Sequence, residues 1–480
     1  MHSISSIVGK ERTLDIRSRR MELGLAQKEL VAQAGVTSAQ LRKWERGLTE
    51  PPRDAMAAIA GALGYSTAAL RKAQSAFSRQ ATPGEGYVTA VSTENVVLPR
   101  RLEPPSGKLR VLDLFCGAGG FSHGLEASGA CAVTAGLDLL NDRIHTFSLN
   151  HPHASAMATD IRTVSLDSLK RTALNPDVIV GGPPCQGFSS IRPFRNLTEG
   201  DPRNSLAEYF LLVLGQLRPR WFVFENVVGL LSHQKGQVLQ SLLRDFESLG
   251  YRLNWSVVNF AYYGLPQNRE RLVVVGTTAA RPFRWPSATH TVQARSMAGR
   301  GAPTIKPAPL SSGALQPAVT VEHAIHDLPP IEAGGSASAY NDLVEPTLYE
   351  RDMRNGCQSL TLHEATAHSE KMLNIVRAAG TNRAALPDGS TTSGFSSCYS
   401  RLHADRPSTT ITVNFVHPSS NRCIHPHQDR ALTPREGARL QSFPDAFTFH
   451  GTRAQIVKQI GNAVPPLFGR ILGRALADTE

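Results

Sequence analysis

Two periodicities divide this chain. Through residues 11–70 apolar positions recur at helical spacing; from Leu109 onward short continuous apolar runs alternate with amphipathic stretches. In the first part, Gln27-Lys28-Glu29-Leu30-Val31-Ala32-Gln33-Ala34 predicts a short helix with Leu30, Val31 and Ala34 on one face. Gly35-Val36-Thr37 predicts a turn, because glycine accepts positive φ and Thr37 or Ser38 can cap the helix that follows. That helix covers 38–46, with Leu41 and Trp44 inward and Gly47 at its end. Pro51-Pro52 starts another, on which Met56, Ile59, Ala60 and Leu63 repeat at helical spacing.

From Leu109 the segments Leu109-Arg110-Val111-Leu112-Asp113-Leu114-Phe115, 132–137, 177–180, Trp221-Phe222-Val223-Phe224 and Leu272-Val273-Val274-Val275-Gly276 read as buried strands. Helical stretches such as 206–217 and 238–249 separate them. Strands apolar on both faces, alternating with helices, predict an α/β fold with a doubly wound, mostly parallel sheet. Residues 71–108 are rich in Ser, Thr, Gly and Pro and read as a linker. Residues 281–410 lose the alternation and read as an inserted domain, after which 411–480 return to the main body and end on an amphipathic helix over 467–476. No internal repeat is visible.

Charge adds a direction. The formal net charge is +11, and residues 1–80 hold thirteen Lys/Arg against seven Asp/Glu, so more than half of the excess sits in the first sixth of the chain. Such a surface suits an acidic partner, nucleic acid first. The six cysteines are scattered without a C-x-x-C pair, which argues against a disulfide framework or zinc knuckle and for a reducing cytoplasm. No apolar run approaches the ~20 residues of a membrane span, and 1–10 lack an apolar signal core, so no membrane attachment is expected.

The chemistry concentrates at strand ends. Gly181-Gly182-Pro183-Pro184-Cys185-Gln186-Gly187-Phe188-Ser189 follows the strand at 177–180. Two prolines fix φ and donate no backbone hydrogen bond, so the strand stops and a thiol is held at its carboxyl edge, where open α/β sheets bind ligands. Asp113-Leu114-Phe115-Cys116-Gly117-Ala118-Gly119-Gly120-Phe121-Ser122 follows the first strand and opens a helix, a place where a cofactor can approach backbone N–H groups. It contains G-x-G but departs from G-x-G-x-x-G at Ser122. Asp138 ends the second strand, suited to ribose hydroxyls, and Asp160 ends a third, suited to an adenine amino group. Glu225 follows the strand ending at Phe224, on the same edge as Cys185. Among apolar residues such a carboxyl can keep a proton near neutrality. A thiolate with a carboxylic acid suits attack on an electron-poor ring whose nitrogen must be protonated. His363, His368 and His403 match no zinc spacing, so no metal is expected.

Two resemblances sharpen this. Helix, tight turn and helix is the helix-turn-helix pattern, and Leu25-Ala26-Gln27-Lys28-Glu29-Leu30, Gly35-Val36-Thr37, Trp44-Glu45-Arg46-Gly47, Pro51 and Ile59-Ala60 resemble its repressor-like family. On this pattern Gln40, Arg42, Lys43 and Arg46 are exposed toward phosphates and base edges. From Leu109 to Asp478 the chain resembles the bacterial DNA (cytosine-5)-methyltransferases. The matching segments stand in family order: 113–122, 181–189, Arg203-Asn204-Ser205-Leu206, Glu225-Asn226-Val227, Gln267-Asn268-Arg269-Glu270-Arg271-Leu272, Leu432-Thr433-Pro434-Arg435-Glu436, Arg439-Leu440-Gln441-Ser442-Phe443-Pro444-Asp445 and Gln459-Ile460-Gly461-Asn462-Ala463-Val464-Pro465-Pro466.

The second resemblance implies an S-adenosyl-L-methionine-dependent enzyme. It implies that Cys185 adds to carbon 6 of a cytosine flipped from duplex DNA, that Glu225 holds ring nitrogen 3 and the exocyclic amino group, and that the methyl group moves to carbon 5. A base, water on this reading, then removes the carbon-5 proton and Cys185 leaves. Arg269 and Arg271 would bind the target base or its phosphate, and Gln267 would brace the site. Phe115, Gly117, Gly120, Asp138, Asp160, Leu206 and Asn462 would form the cofactor pocket. The loop from Gln186, with Arg192 and Arg195, would be a lid over DNA. The organisation expected is thus a helix-turn-helix domain at 1–70, a linker at 71–108, a catalytic domain at 109–280, a target-recognition domain at 281–410 and the rest of the catalytic domain at 411–480. A modification enzyme of a restriction-modification system, associated with the nucleoid, fits both parts. Its head would act on an operator at its own locus or that of a cognate restriction endonuclease. The alternatives are a DNA-binding regulator with an inactive methyltransferase body, and a tRNA cytosine-5 methyltransferase.

Overall fold

Gly35 adopts φ 62° at the end of one helix, and the next starts on the cap of Thr37, whose hydroxyl accepts from the Gln40 N–H. This turn belongs to the first of two units, Met1–Val91 and Ser92–Glu480, into which the chain divides. The computed structural model describes residues 16–23, 25–45, 51–71, 96–184, 205–292, 303–304, 315–387 and 397–479. In the first unit α1 (Ile16–Glu22), α2 (Gln27–Ala34), α3 (Ser38–Trp44) and α4 (Arg53–Ala62) enclose Ile16, Leu30, Leu41, Trp44, Met56, Ile59 and Leu63. Glu45, just past α3, is buried. It accepts from Arg20 Nε of α1 and Gln27 Nε2 of α2, so one carboxylate joins three helices.

The second unit is built on an eight-stranded sheet in the order β1-β4-β3-β2-β5-β6-β8-β7. Its strands are β1 (Val96–Leu98), β2 (Leu109–Leu114), β3 (Cys131–Asp138), β4 (Ser155–Ala158), β5 (Val178–Gly181), β6 (Trp221–Val227), β7 (Arg252–Asn259) and β8 (Glu270–Thr277). The run β4-β3-β2-β5-β6 is parallel. The helices α5 (Gly120–Ala127), α6 (Asn141–Asn150), α7 (Leu166–Thr172), α8 (Ser205–Leu217) and α9 (Gln237–Ser248) lie between its strands in sequence. The continuous apolar run at 272–276 has a different cause from the parallel strands. It is β8, antiparallel to both β6 and β7 and enclosed between them.

The stretch expected to be a linker ends earlier than its composition suggests. Val96–Leu98 pairs antiparallel with β4, and the following residues are tied down. Arg100 donates to the Thr172 carbonyl at 2.6 Å, and the Arg101 and Leu102 N–H groups donate to the Pro152 carbonyl. Three residues of alternating exposure form this edge strand, too short for a periodicity signal.

The region after β8 does not stand apart from the chain's last part. Val321, Ala324, Ile325, Leu328, Leu360, Leu402 and Ile411 share one core with Leu432, Leu440, Phe443, Ile456 and Ile460. Buried ion pairs run through it. Arg430 grips Glu436 with two bonds of 2.9 and 2.7 Å, Arg435 reaches Asp445 at 3.2 Å, and Arg439 bridges Asp445 and Asp327. They surround α13 (Pro434–Leu440), named after α10 (Glu322–Ile325), α11 (Leu348–Arg354) and α12 (Glu370–Ala378). α14 (Arg453–Asn462) and α15 (Pro466–Thr479) follow.

The last helix, α15, lies directly on α5. A Cβ on Gly124 of α5 would stand 2.0 Å from the Pro466 carbonyl and 2.8 Å from Cα of Gly469. At Gly124 the last helix therefore meets the first β-strand-to-helix unit backbone to backbone, beside a core in which Phe121 and Leu125 join Phe468 and Leu472. No helix among the described residues is long and apolar enough to cross a membrane. Gly124→Ala is expected to lose roughly 2–3 kcal/mol by forcing these helices apart. Equilibrium denaturation will read this, and an unchanged midpoint would show that the helices have room.

Candidate active site and cofactor edge

The parallel strands point their carboxyl ends to one edge. β5 stops at Gly181, after which Pro183 is buried and Pro184 exposed. Cys185 itself lies outside the described residues, as do Arg192 and Arg195. What surrounds its position is defined. β5 and β6 pair at Gly181 and Phe224, which sets Gly182 against Glu225: a Cβ on Gly182 would meet Glu225 Oε2 at 2.9 Å. Asn226 donates Nδ2 to the Pro183 carbonyl at 3.3 Å. The double-proline segment and the glutamate thus adjoin.

Glu225 is 9 % exposed, and its neighbour is a charge rather than apolar side chains: Arg271 Nε stands 3.0 Å from Oε1. β6 and β8 are antiparallel with Glu225 opposite Val273, which brings Arg271 alongside. Arg269, two residues earlier, does something else. It is 2 % exposed and donates to the carbonyls of Ile411, Gly461 and Ala463 at 3.0–3.4 Å, while its Nε has no partner among the described residues. Burial, with Arg271 adding, lowers this guanidinium well below its ordinary value.

Gln267 is fully buried and ties the same segments. Its Oε1 accepts from the Ile411 N–H at 2.9 Å, and its Nε2 donates to the Leu440 carbonyl and to Gln441 Oε1. Gln441 passes the connection on by donating to the Ile460 carbonyl at 2.7 Å. This second glutamine was quoted in the sequence only as part of a matching segment. Nothing but the fold shows it to be the counterpart of Gln267.

At the other end of the edge the glycine loop curves after β2. Phe115, Gly117 and Gly119 all have positive φ, 62°, 55° and 90°. Gly117 N–H donates to Asp138 Oδ2 at 3.0 Å, and the Leu140 N–H donates to Oδ1 at 3.0 Å, so Asp138 organises two backbone turns at the strand ends. The inner side of the loop is packed: a Cβ on Gly119 would strike His151 Nε2 at 2.5 Å, and one on Gly120 the Val464 carbonyl at 2.7 Å. Gly117 has nothing within 4 Å of where its Cβ would be, so the loop is open there. The Val464 contact brings the segment after Asn462, an exposed residue at the end of α14, to the loop. Leu206 is half-buried at the start of α8. Asp160 is held by Arg162 through bonds of 2.9 and 3.0 Å, which keeps its carboxyl below its ordinary value.

Beneath the loop are groups that sequence reading passed over. His151 is buried, with Nδ1 2.6 Å from Glu126 Oε2 and Nε2 3.2 Å from the Gly119 carbonyl. Asp113 is 2 % exposed and accepts from the Ser122 hydroxyl at 2.6 Å. Burial pushes its carboxyl up to about 7, against the lowering effect of that hydrogen bond.

In the N-terminal unit, Gln40 is exposed, but its Oε1 is engaged by the Thr37 N–H and hydroxyl at 2.9 and 2.8 Å. Its amide caps its own helix. Arg42 is exposed, while the Lys43 side chain and Arg46 lie outside the described residues. Of the histidines weighed as metal ligands, His363 pairs with the Pro329 carbonyl and Thr433, and His368 accepts from the Ala431 N–H.

Sheet order, glycine loop and the Gly182–Glu225–Arg271 contact together describe a methyltransferase-type edge, and comparison with known proteins agrees. The family model for C-5 cytosine-specific DNA methylase matches residues 109–478, and a helix-turn-helix model matches 16–70. The Type II methyltransferase M.DdeI of Desulfomicrobium norvegicum is 32% identical over 395 residues, covering 77% of this chain and 88% of that protein. M.AgeI of Thalassovita gelatinovora is 32% identical over 439 residues, covering 77% and 99%. A crystal structure of an Escherichia coli prophage protein described as a DNA modification methyltransferase shares the fold, with TM-score 0.59, 24% identity and coverage of 78% and 99%. The chain belongs to the C-5 cytosine-specific DNA methylases and carries a helix-turn-helix unit ahead of the methylase body.

The raised Asp113 value has a measurable consequence. An acid raised from 3.8 to about 7 binds its proton more tightly when folded. Its contribution to stability is full below the unfolded value and is lost as pH rises toward 7. Asp113→Asn, which keeps a partner for Ser122, is expected to flatten the fall in stability between pH 4 and 7. Unfolding midpoints across that range will show it, and an unaltered slope would mean that Asp113 ionises without cost.

Proposed function

We propose that this chain methylates carbon 5 of cytosine within a specific duplex sequence, as the modification enzyme of a Type II restriction-modification system, through a covalent adduct on Cys185. The observation that carries the chemistry is the contact of Gly182 with Glu225, because it sets the thiol-bearing segment beside a carboxylate paired to Arg271. The named Type II relatives support the restriction-modification setting.

The residues present fit S-adenosyl-L-methionine. The loop opens at Gly117, its interior is filled at Gly119 and Gly120, and Asp138 stands at its rim. Phe115, Gly117, Gly120, Asp138, Leu206 and Asn462 would hold the cofactor. Asp160 would reach its adenine only by sharing its carboxylate with Arg162. S-adenosylmethionine bound there supplies an electrophilic methyl group.

The chain's own groups do the rest. A stacked cytosine hides its ring face, so the base must leave the helix before a thiolate can reach carbon 6. Cys185 forms a sulfur–carbon bond there. The displaced electron pair passes to ring nitrogen 3, which takes up a proton from water that the Glu225 carboxylate then holds there; carbon 5 becomes nucleophilic, and that proton is released when the ring is restored. Arg271 positions the Glu225 carboxylate and lies within reach of the base. Arg269 and Gln267 act behind this layer: they hold the segments at 411, 440 and 461–463 in place. After carbon 5 is methylated, loss of its proton to water and expulsion of Cys185 restore the thiolate and the aromatic ring. Residues 281–410 would read the recognition sequence.

The helix-turn-helix unit would bind an operator and regulate transcription of this gene or of a cognate endonuclease, through Arg42, Lys43 and Arg46 more than through Gln40, whose amide is committed to capping.

Bisulfite sequencing of DNA from cells expressing the chain should show protected cytosines at one short sequence. Cys185→Ala should abolish protection, and Glu225→Gln should reduce it by on the order of 100-fold or more. Methylation by Cys185→Ala would falsify the adduct, and protection of tRNA cytosines in place of DNA would redirect the substrate. For the regulatory role, the full chain should retard a fragment of its own promoter more strongly than random DNA of equal length. Equal retardation removes that role.

A further inference from the structure

The buried arginines of the second unit are nearly all neutralised from within. Arg430, Arg435 and Arg439 have carboxylates, and Arg401 has four backbone carbonyls and Asp429. Arg422 differs from these. It is half-buried, yet among the described residues it makes no hydrogen bond and no ion pair, and its Nε is buried without a partner. A guanidinium drawn partly out of water and left unpaired is costly unless something else satisfies it.

Its surroundings make the cost greater. Arg406 is close enough to repel it: burial first, then Arg406, lowers Arg422 from its ordinary value. His403 feels burial and then both arginines in the same sense. Among the described residues the one carboxylate acting there is Asp405, exposed and held at 3.4 Å by Arg406, its neighbour in sequence. The hydroxyls of Ser408 and Thr409, in the same run, are buried without partners among the described residues.

This run lies against the active-site strand. Ser408 N–H donates to the Pro266 carbonyl at 2.9 Å, Asn268 N–H to the Ser408 carbonyl at 2.8 Å, and the Thr410 hydroxyl to the Asn268 carbonyl at 2.8 Å. Asn421, next to Arg422, donates to the Thr410 carbonyl at 3.4 Å. Arg406 and Arg422 therefore flank the segment braced by Gln267, two residues before Arg269.

We propose that Arg406 and Arg422 form a phosphodiester site for the DNA strand that enters the active site. Two adjacent guanidiniums need a full negative charge between them. A base edge offers only partial charges, whereas a backbone phosphate offers two unesterified oxygens to planar donors. The placement beside 266–269 selects the backbone near the target nucleotide. This inference rests on duplex DNA being the substrate.

The test is the salt dependence of duplex binding by the full-length protein. The slope of log Kd against log salt reports the phosphates neutralised, at about 0.9 per contact on B-form DNA. Arg406→Gln, at an exposed position where folding is not at stake, should lower that slope by about 0.9. Arg422→Gln should do the same, and Arg422→Lys should keep most of it. Affinity should weaken equally for target and random duplexes, since phosphate contacts carry no sequence. Slopes unchanged in all variants, in a protein that binds duplex, overturn the site alone. Altered inhibition by inorganic phosphate with an unchanged DNA slope overturns it in favour of a free-anion site. Wild-type protein that binds no duplex overturns the substrate reading beneath it.

Discussion

One buried guanidinium closes this molecule. Arg269 extends from the start of β8 and donates to carbonyls of Ile411, Gly461 and Ala463. These acceptors belong to segments far apart in the chain. Each is backbone, so the interaction fixes the path of the chain rather than the identity of side chains. A charge so enclosed, with one nitrogen unpaired, gives up hydration for geometry. The geometry in question is that of the strand end two residues on, where Arg271 meets Glu225. The brace thereby sets where Arg271 stands against Glu225.

Around this brace the fold uses two unlike materials. On the side of residues 320–445, ion pairs run through the apolar core: Arg430, Arg435 and Arg439 are enclosed with Glu436, Asp445 and Asp327. Such pairs add little net stability over apolar packing but tolerate few alternative arrangements, because any shift strands a charge. On the side of the cofactor loop, packing is steric. Gly124 and Gly469 let two helices touch, and Gly119 lets His151 support the loop from below.

The sheet and the segments that frame its carboxyl edge were largely legible in the sequence, because continuous apolar strands and proline-framed or glycine-framed strand ends are local signals. Gln27–Ala34, the Gly35 turn and the start of α3 appear where spacing and capping residues put them. Other features were hidden for physical reasons. The direction of β8 is invisible, since a strand covered on both faces looks alike in either orientation. The union of 321–411 with 432–460 in one core depends on contacts between distant segments. Gln40 looked free to read DNA, yet a side chain that can reach a base edge can equally reach the backbone of its own cap. The charge beside Glu225 needed the register of β6 against β8.

β1 gives the second unit a boundary that the family model does not mark. The family match begins at 109, whereas the sheet begins at Val96. Without those residues β4 would be an open edge, with unpaired N–H and C=O groups ready to accept a strand from another molecule. A methylase body cut at the family boundary would therefore keep its catalytic apparatus yet acquire an adhesive side. The residues just before the family-matched body act as a selvedge, the finished border that stops a woven sheet from joining to its neighbour.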